Sequence, residues 1–255
     1  AANAASKASQ GYDIMDRERL HGGFMELEDA EFMWGFNHTT ETQLTYVSFS
    51  SHMSNDCLGY AGLDQPAKLI DKSLYDQISK TDYRKSLFNG PEGDKTASAD
   101  TPGAARPYAS RKFGYMAQWL QDYIYMRASE MVLIEAESYA RLGDGAKAAS
   151  ALGELMAKRD IAWKAASVTV DDVLLQRRIE LWGEGHGYYD LRRNGKGIDR
   201  NYEGSNHTPA NRIKVPAHDN LWWFQLPLKE ITENDMISED EQNPWSKEQD
   251  NDKED

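Results

Sequence analysis

The run Met126-Arg-Ala-Ser-Glu-Met-Val-Leu-Ile-Glu-Ala-Glu-Ser-Tyr-Ala-Arg-Leu-Gly-Asp144, with the alanine-rich stretch that follows it, limits what this chain can fold into more than any other segment. Ala136 and Ala140 leave room for a neighbouring backbone, and Tyr139 fills the space between two helices. Gly143-Asp144 supplies a left-handed stop for one helix and a start for the next. Ala146, Ala148, Ala149 and Leu152 then carry a second helix. A hairpin with so little bulk at its seam encloses no core by itself, so its remaining faces require further elements stacked on them.

The pattern is that of a tetratricopeptide-type helix pair, a repeat of ~34 residues. Ala4, Ala5 and Ala8, also at helical spacing, read as part of a neighbouring helix, with a low-complexity terminus as the competing reading. From Thr169 to Trp182 the chain reads as another helix, with Thr169 as N-cap, Asp171 and Asp172 in the first turn, and Gly183, Gly185 and Gly187 ending it. Residues 71–80 read as a short amphipathic helix. Residues 31–38 and 43–49 are aromatic and β-branched with partial alternation, as in short strands or extended segments covering the helices. Residues 51–66 and 89–103 carry turn chemistry, the latter as an exposed, mobile insertion. The expected fold class is therefore mostly α, with tetratricopeptide-like helix pairs bearing irregular loops and short strands.

Composition removes several classes of function. A formal net charge of −13 over 255 residues opposes a nucleic-acid partner, whose phosphates are neutralised by Lys and Arg. No apolar run reaches the ~18–20 residues that a membrane-spanning helix requires. The single cysteine, Cys57, forms no internal disulfide and no Cys-based zinc site. Acidic residues crowd the end of the chain, and residues 246–255 read as a disordered acidic tail.

A family resemblance rests on the order of several short motifs. These are Arg127-x-x-Glu130 with Glu135-Ala-Glu137, then Arg178-Ile-Glu-Leu-Trp-Gly-Glu-Gly-His-Gly-Tyr-Tyr-Asp-Leu-Arg-Arg193, then Pro227-Leu-x-Glu-Ile231 and Gln242-Asn-Pro244. In this order they resemble the C-terminal half of the SusD/RagB family. Gly22-Gly-Phe-Met25, Glu31-Phe-Met-Trp-Gly35, Leu74-Tyr75 and Asp82-Tyr-Arg84 extend the resemblance over nearly the whole chain. It implies a single domain, residues 1–245, corresponding to the C-terminal half of a SusD-like domain truncated at its N-terminus. It implies a surface-exposed outer-membrane lipoprotein of a Bacteroidetes-type bacterium, held to the membrane only by a lipid anchor outside this chain. Such a protein binds oligo- or polysaccharide and delivers it to a SusC-like TonB-dependent transporter, without cofactor or catalysis.

The family's ligand groups sit on irregular loops that differ from member to member, so candidate site residues come from this sequence. Sugar recognition wants a flat aromatic face for the apolar side of a pyranose, and planar amide, carboxylate or imidazole groups for its hydroxyls. Tyr46, His52, Asn55, Asp56 and Tyr60 supply both within one loop and are the expected glycan-binding set. Trp163, Trp222, Trp223 and Trp245 rank second; adjacent Trp222 and Trp223 in a strand would face opposite sides, leaving one in the core.

Two other functions compete. One is a helical-repeat interaction module with no small ligand. The other is a glycoside hydrolase, for which Glu180, Glu184, His186 and Asp190 would be the local acid/base candidates. No His-Glu-x-x-His spacing supports a metal site there. Pairing of Glu180 with Arg177, and a network of Arg178, Asp190, Arg192 and Arg193 around the glycine-rich corner, is the structural expectation.

Overall fold

The computed structural model describes residues 1–43, 48–56 and 67–244. Its regular structure is mostly helical, and the chain divides into two compact units, Ala1–His186 and the residues from Gly187 onward. The first holds α1 (Ala2–Ala8), α2 (Arg17–Leu20), β1 (Phe32–Phe36), α3 (Phe49–Met53), α4 (Lys72–Gln77), β2 (Tyr123–Arg127), α5 (Ala128–Arg141), α6 (Gly145–Met156) and α7 (Val170–Glu180). The second holds α8 (His186–Arg193), whose first residue closes the first unit, then β3 (Ile198–Asp199), β4 (Lys214–Val215) and α9 (Leu228–Glu233).

The helix pair anticipated from small-residue spacing is α5 and α6. Leu133, Ala136, Ala148, Leu152 and Leu155 are fully buried. Gly143 takes φ +81° in the turn, and the Asp144 carboxylate accepts the Lys147 N–H at 3.0 Å to cap α6. A Cβ on Gly145 would lie 2.2 Å from Ser167 Oγ, so glycine is what lets the segment before α7 close on the start of α6. α1, α6 and α7 all pack on α5, which supplies the stacked neighbours a lone pair lacks. α1 buries Ala2 and Ala5, whereas Ala4 and Ala8 are exposed. The helix exists, and of the three alanines read there only Ala5 lies on its buried side, with Ala2 as its neighbour.

α7 begins as its sequence requires. Thr169 Oγ1 accepts the Asp172 N–H at 3.2 Å, and the Asp172 carboxylate accepts the Thr169 N–H at 2.8 Å, a reciprocal capping box. It contributes Val173 to the alanine-rich core around α5 and α6, and Ile179 to a second core built from Leu20, Phe24, Phe32, Ile70, Leu74, Phe88 and Phe113. Gly183, at φ +79°, ends the segment after it.

Two local expectations are corrected. Met126 and Arg127, at the head of the run read as the first helix, belong instead to β2, antiparallel to β1, and α5 starts only at Ala128. Phe49, read as the end of an extended segment, opens α3, because Ser48 Oγ accepts the Ser51 N–H at 3.1 Å and caps a helix there. Residues 89–103 are turns, as read, and the Asn89 amide donates to the carbonyls of Ala104 (2.7 Å) and Arg106 (2.9 Å) across their base.

Candidate functional site

Of the groups that suggested a hydrolase, Glu180 and Glu184 sit in an ion-paired cluster in the interior of the first unit. Glu180, at the end of α7, receives Arg159 on both oxygens (2.9 Å each), Arg127 on one (2.8 Å) and Arg84 on the other (3.2 Å). Glu184, in the glycine-rich turn, takes Arg127 at 2.8 and 2.9 Å and the Lys112 ammonium at 2.5 Å. Lys112 also donates to the carbonyls of Glu180 and Trp182 at 2.9 Å, satisfying the C-terminal end of α7. Glu31 accepts from Arg127 (2.7 Å), from Ser129 Oγ (2.5 Å) and from the Met15 N–H (2.6 Å). Asp82 completes the set against Arg84 at 2.6 Å. Four carboxylates thus face four cations, and each charge in this cluster has a partner.

The electrostatics follow. Burial alone would raise the Glu180 carboxyl, but Arg159, Arg127 and Arg84 outweigh it and hold the group well below the usual carboxylate range. Burial likewise opposes ionisation of Glu184, and Arg127 with Lys112 brings it to about 2. Burial pushes the Lys112 ammonium down despite Glu184. Carboxylates this strongly acidic and enclosed donate no proton near neutral pH, so they brace the glycine corner instead of serving as general acids. The expected Glu180–Arg177 pair is replaced: Arg177 turns to Glu130 (3.8 Å) and Glu137 (4.0 Å), across to α5. The anticipated Arg178, Asp190, Arg192 and Arg193 network is also absent as a unit. Arg178 is exposed, Asp190 pairs with Arg193 at 2.7 Å, and the corner is fixed by Lys112, Arg127 and Glu184. His186 stands 3.6 Å from Glu130.

From this anchored interior the β1–β2 ribbon carries aromatic side chains outward. Trp34 is 61% exposed, Tyr125 49% and Phe36 42%, and the Trp34 and Tyr125 rings meet edge to face at 5.1 Å. A regular strand would place Phe32, Trp34 and Phe36 on one face. The pairing slips between Phe32 and Trp34 and again between Trp34 and Gly35, so Phe32 enters the core while Trp34 and Phe36 face solvent. Gly35 makes the close approach possible, since a Cβ there would sit 2.3 Å from the Tyr123 carbonyl oxygen and 2.6 Å from Leu27 Cδ1. The Asp122 carboxylate fixes the end of the ribbon by accepting the N–H groups of Leu27 and His38, both at 2.8 Å. The His38 ring meets those of Phe36 (4.9 Å) and Tyr123 (4.4 Å) edge to face. The Tyr123 hydroxyl accepts the Phe49 N–H at 2.9 Å, which ties the ribbon to α3.

That bond brings the expected loop residues up to the ribbon. His52 lies on α3, half-buried, with Nδ1 3.0 Å from the Ser48 carbonyl oxygen. Asp56 is paired with Arg111 at 3.1 Å. The Asn55 amide is bound up with backbone: it donates to the carbonyls of Lys68 (2.9 Å) and Ser110 (2.8 Å) and accepts the Lys68 N–H at 2.9 Å. Tyr46 and Tyr60 lie outside the described residues, as do Cys57, Trp245 and residues 246–255. Trp163 packs against the alanine-rich core. In the second unit Trp222 is buried and Trp223 exposed, the split read from their adjacency, although the segment is a 3₁₀ turn and not a strand. The exposed pair Trp34 and Tyr125 escaped the sequence reading; the signal was the glycine inside an aromatic strand, which marks a bulge or a close backbone approach. Among the described residues no three His, Cys, Asp or Glu converge as metal ligands, and no helix is long and apolar enough to cross a membrane.

A tetratricopeptide-like pair, an antiparallel aromatic ribbon and a glycine corner locked by ion pairs define a SusD-like fold. The chain belongs to the SusD family, whose model matches residues 117–245. No curated protein matches. Among solved structures, a SusD superfamily protein from Bacteroides thetaiotaomicron superposes with a TM-score of 0.76 at 22% identity, covering 96% of this chain and 56% of that one. A SusD-like carbohydrate binding protein from Bacteroides vulgatus gives 0.69 at 22% identity, covering 94% and 55%. Surface glycan-binding protein A from Bacteroides uniformis gives 0.62 at 19% identity, covering 95% and 55%. The chain therefore spans about half the length of the solved structures it matches.

Proposed function

We propose that the chain is a non-catalytic glycan-binding part of a cell-surface nutrient-uptake protein, and that the exposed Trp34 and Tyr125 pair is its sugar platform. The observation that supports this most is the ribbon itself: two large rings held out to solvent by paired bulges, on a base fixed by Asp122 and the buried ion cluster. Solvent-facing aromatics cost solubility unless something covers them, and a pyranose face has the matching shape and polarity. The neighbouring α3 segment offers His52 and Asp56 for hydroxyls, with Tyr46 and Tyr60 contributed from the adjoining stretches. Asn55 serves in this reading as the brace that holds the segment. Family membership adds the rest of the proposal: attachment at the outer membrane through a lipid anchor and delivery of saccharide to a SusC-like TonB-dependent transporter.

Isothermal titration against neutral gluco-, xylo- and manno-oligosaccharides tests the platform. Saturable binding to one of them, weakened at least tenfold by Trp34→Ala and by Tyr125→Ala with unchanged thermal midpoints, supports it, since stacking on an aromatic ring supplies a large share of sugar affinity. Binding that both variants retain removes the ribbon from the site.

A further inference from the structure

The second unit holds an open cleft lined by Arg192, Gly195, Lys196, His218, Trp222 and Trp223. Trp222 forms its wall, with the indole N–H donating to the Pro216 carbonyl at 2.7 Å and its own carbonyl accepting the Tyr188 hydroxyl. Arg192 lies over the exposed Trp223 ring, 4.6 Å from its centroid. His218 adopts φ +62°, a backbone state that strains a residue with a Cβ, and its ring packs so closely on Gly195 that a Cβ there would be 3.1 Å from Nε2.

The charge of this cleft runs against that of the chain. Lys and Arg number 29 against 42 Asp and Glu overall, but between residues 187 and 225 six Lys and Arg stand against four Asp and Glu. None of the lining residues is acidic. The acids nearest in sequence are engaged, Asp190 with Arg193 at 2.7 Å and Asp219 with the Leu221 N–H at 2.9 Å. A guanidinium resting on an indole loses rotational freedom while keeping its in-plane N–H donors, the fork that matches a carboxylate. The same indole presents an apolar surface beside that fork.

We propose that this cleft binds the carboxylate of an acidic sugar, a uronic acid residue within an oligosaccharide. Arg192 supplies charge-assisted donors to the carboxylate, Trp223 packs on the carbon face of the ring, Lys196 adds positive charge, and His218 lines the cleft beside them. The proposal rests on the saccharide-binding reading above, but it uses different residues in a different unit.

Titration of the full chain with tetragalacturonate and with its carboxyl-reduced neutral counterpart tests it. The uronate is expected to bind at least tenfold more tightly at low salt, with the margin shrinking as ionic strength rises. Arg192→Gln is expected to erase that margin and Arg192→Lys to retain part of it, because charge survives without the fork. Trp34→Ala is expected to leave the affinity for the uronate itself unchanged. Equal affinity for the two saccharides overturns the proposal, as does a margin that survives Arg192→Gln. Displacement of the uronate by equimolar inorganic phosphate overturns the sugar assignment, since it shows a site for any anion. Loss of neutral-sugar binding in the ribbon variants, with affinity for the uronate intact, separates the two readings.

Discussion

Arg127 grips Glu184 through two parallel bonds, Nε to Oε2 at 2.8 Å and Nη2 to Oε1 at 2.9 Å, tying the last residue of β2 to the glycine corner after α7. The same guanidinium reaches Glu31 and Glu180, so one side chain joins the start of β1, the end of α7 and the corner. Both partners are enclosed, and each loses its water only because the other is present. Arg127→Ala is expected to cost about 3–5 kcal/mol, because it leaves three carboxylates without their shared cation. Urea unfolding of the variant measures this; a loss under about 1 kcal/mol would contradict the bracing role.

Acid should release the same brace. The folded Glu184 carboxyl sits at about 2, below its ordinary 4.5, and Glu180 is held well below the usual carboxylate range by its arginines. A carboxyl depressed on folding contributes stability that is complete above the unfolded value and is lost as pH falls toward the folded one. Unfolding free energy is therefore expected to hold above about pH 5 and to fall steadily from about pH 4.5 to pH 2. Glu184→Gln should flatten part of that slope. A stability profile level across this range would show that these carboxylates do not hold the fold together.

Gly35 is required by space and not by backbone angle. Ala at this position places a methyl against the Tyr123 carbonyl and Leu27, and relieving that overlap must spread the ribbon. Gly35→Ala is expected to lose about 1–3 kcal/mol of stability, the usual range for overpacking. It should also weaken any ligand that uses Trp34 and Tyr125 together. A neutral effect on both would mean the bulged register is not what sets the rings.

The cap of α7 offers a cleaner local test. Thr169→Ala removes one half of a reciprocal pair and should cost about 0.5–2 kcal/mol by thermal or urea unfolding, without affecting saccharide binding. Asp172→Asn, which keeps an acceptor but removes the charge, should cost less.

The helix pair and α7 were legible because their causes are local: alanines at the seam, glycine at the turn, Asp144 and Thr169 as caps. The ion cluster was legible only in part. Glu31, Asp82, Arg84, Arg127, Glu180 and Glu184 stand in family motifs, but Lys112 and Arg159 carry no local pattern that names their partners. Lys112 finds Glu184 from 72 residues away, and sequence spacing pointed Glu180 toward Arg177 because only neighbours are visible there. The aromatic ribbon was hidden for a related reason. Alternation assigns Phe32, Trp34 and Phe36 to one face, and the slips in pairing that send Phe32 inward arise from register with a strand about ninety residues on. The loop chosen for its polar groups proved partly structural, since an Asn such as Asn55 that joins two backbone segments looks the same in sequence as one that awaits a hydroxyl.

The central claim is that Trp34 stands in the saccharide site, and fluorine NMR of protein labelled with 5-fluorotryptophan tests it most directly. The Trp34 resonance, assigned by its disappearance in Trp34→Phe, is expected to move saturably as a bound neutral oligosaccharide is titrated, while the signals of buried Trp222 and core-packed Trp163 stay in place. A Trp34 resonance that does not move while the saccharide demonstrably binds would contradict the account and shift the site away from the ribbon.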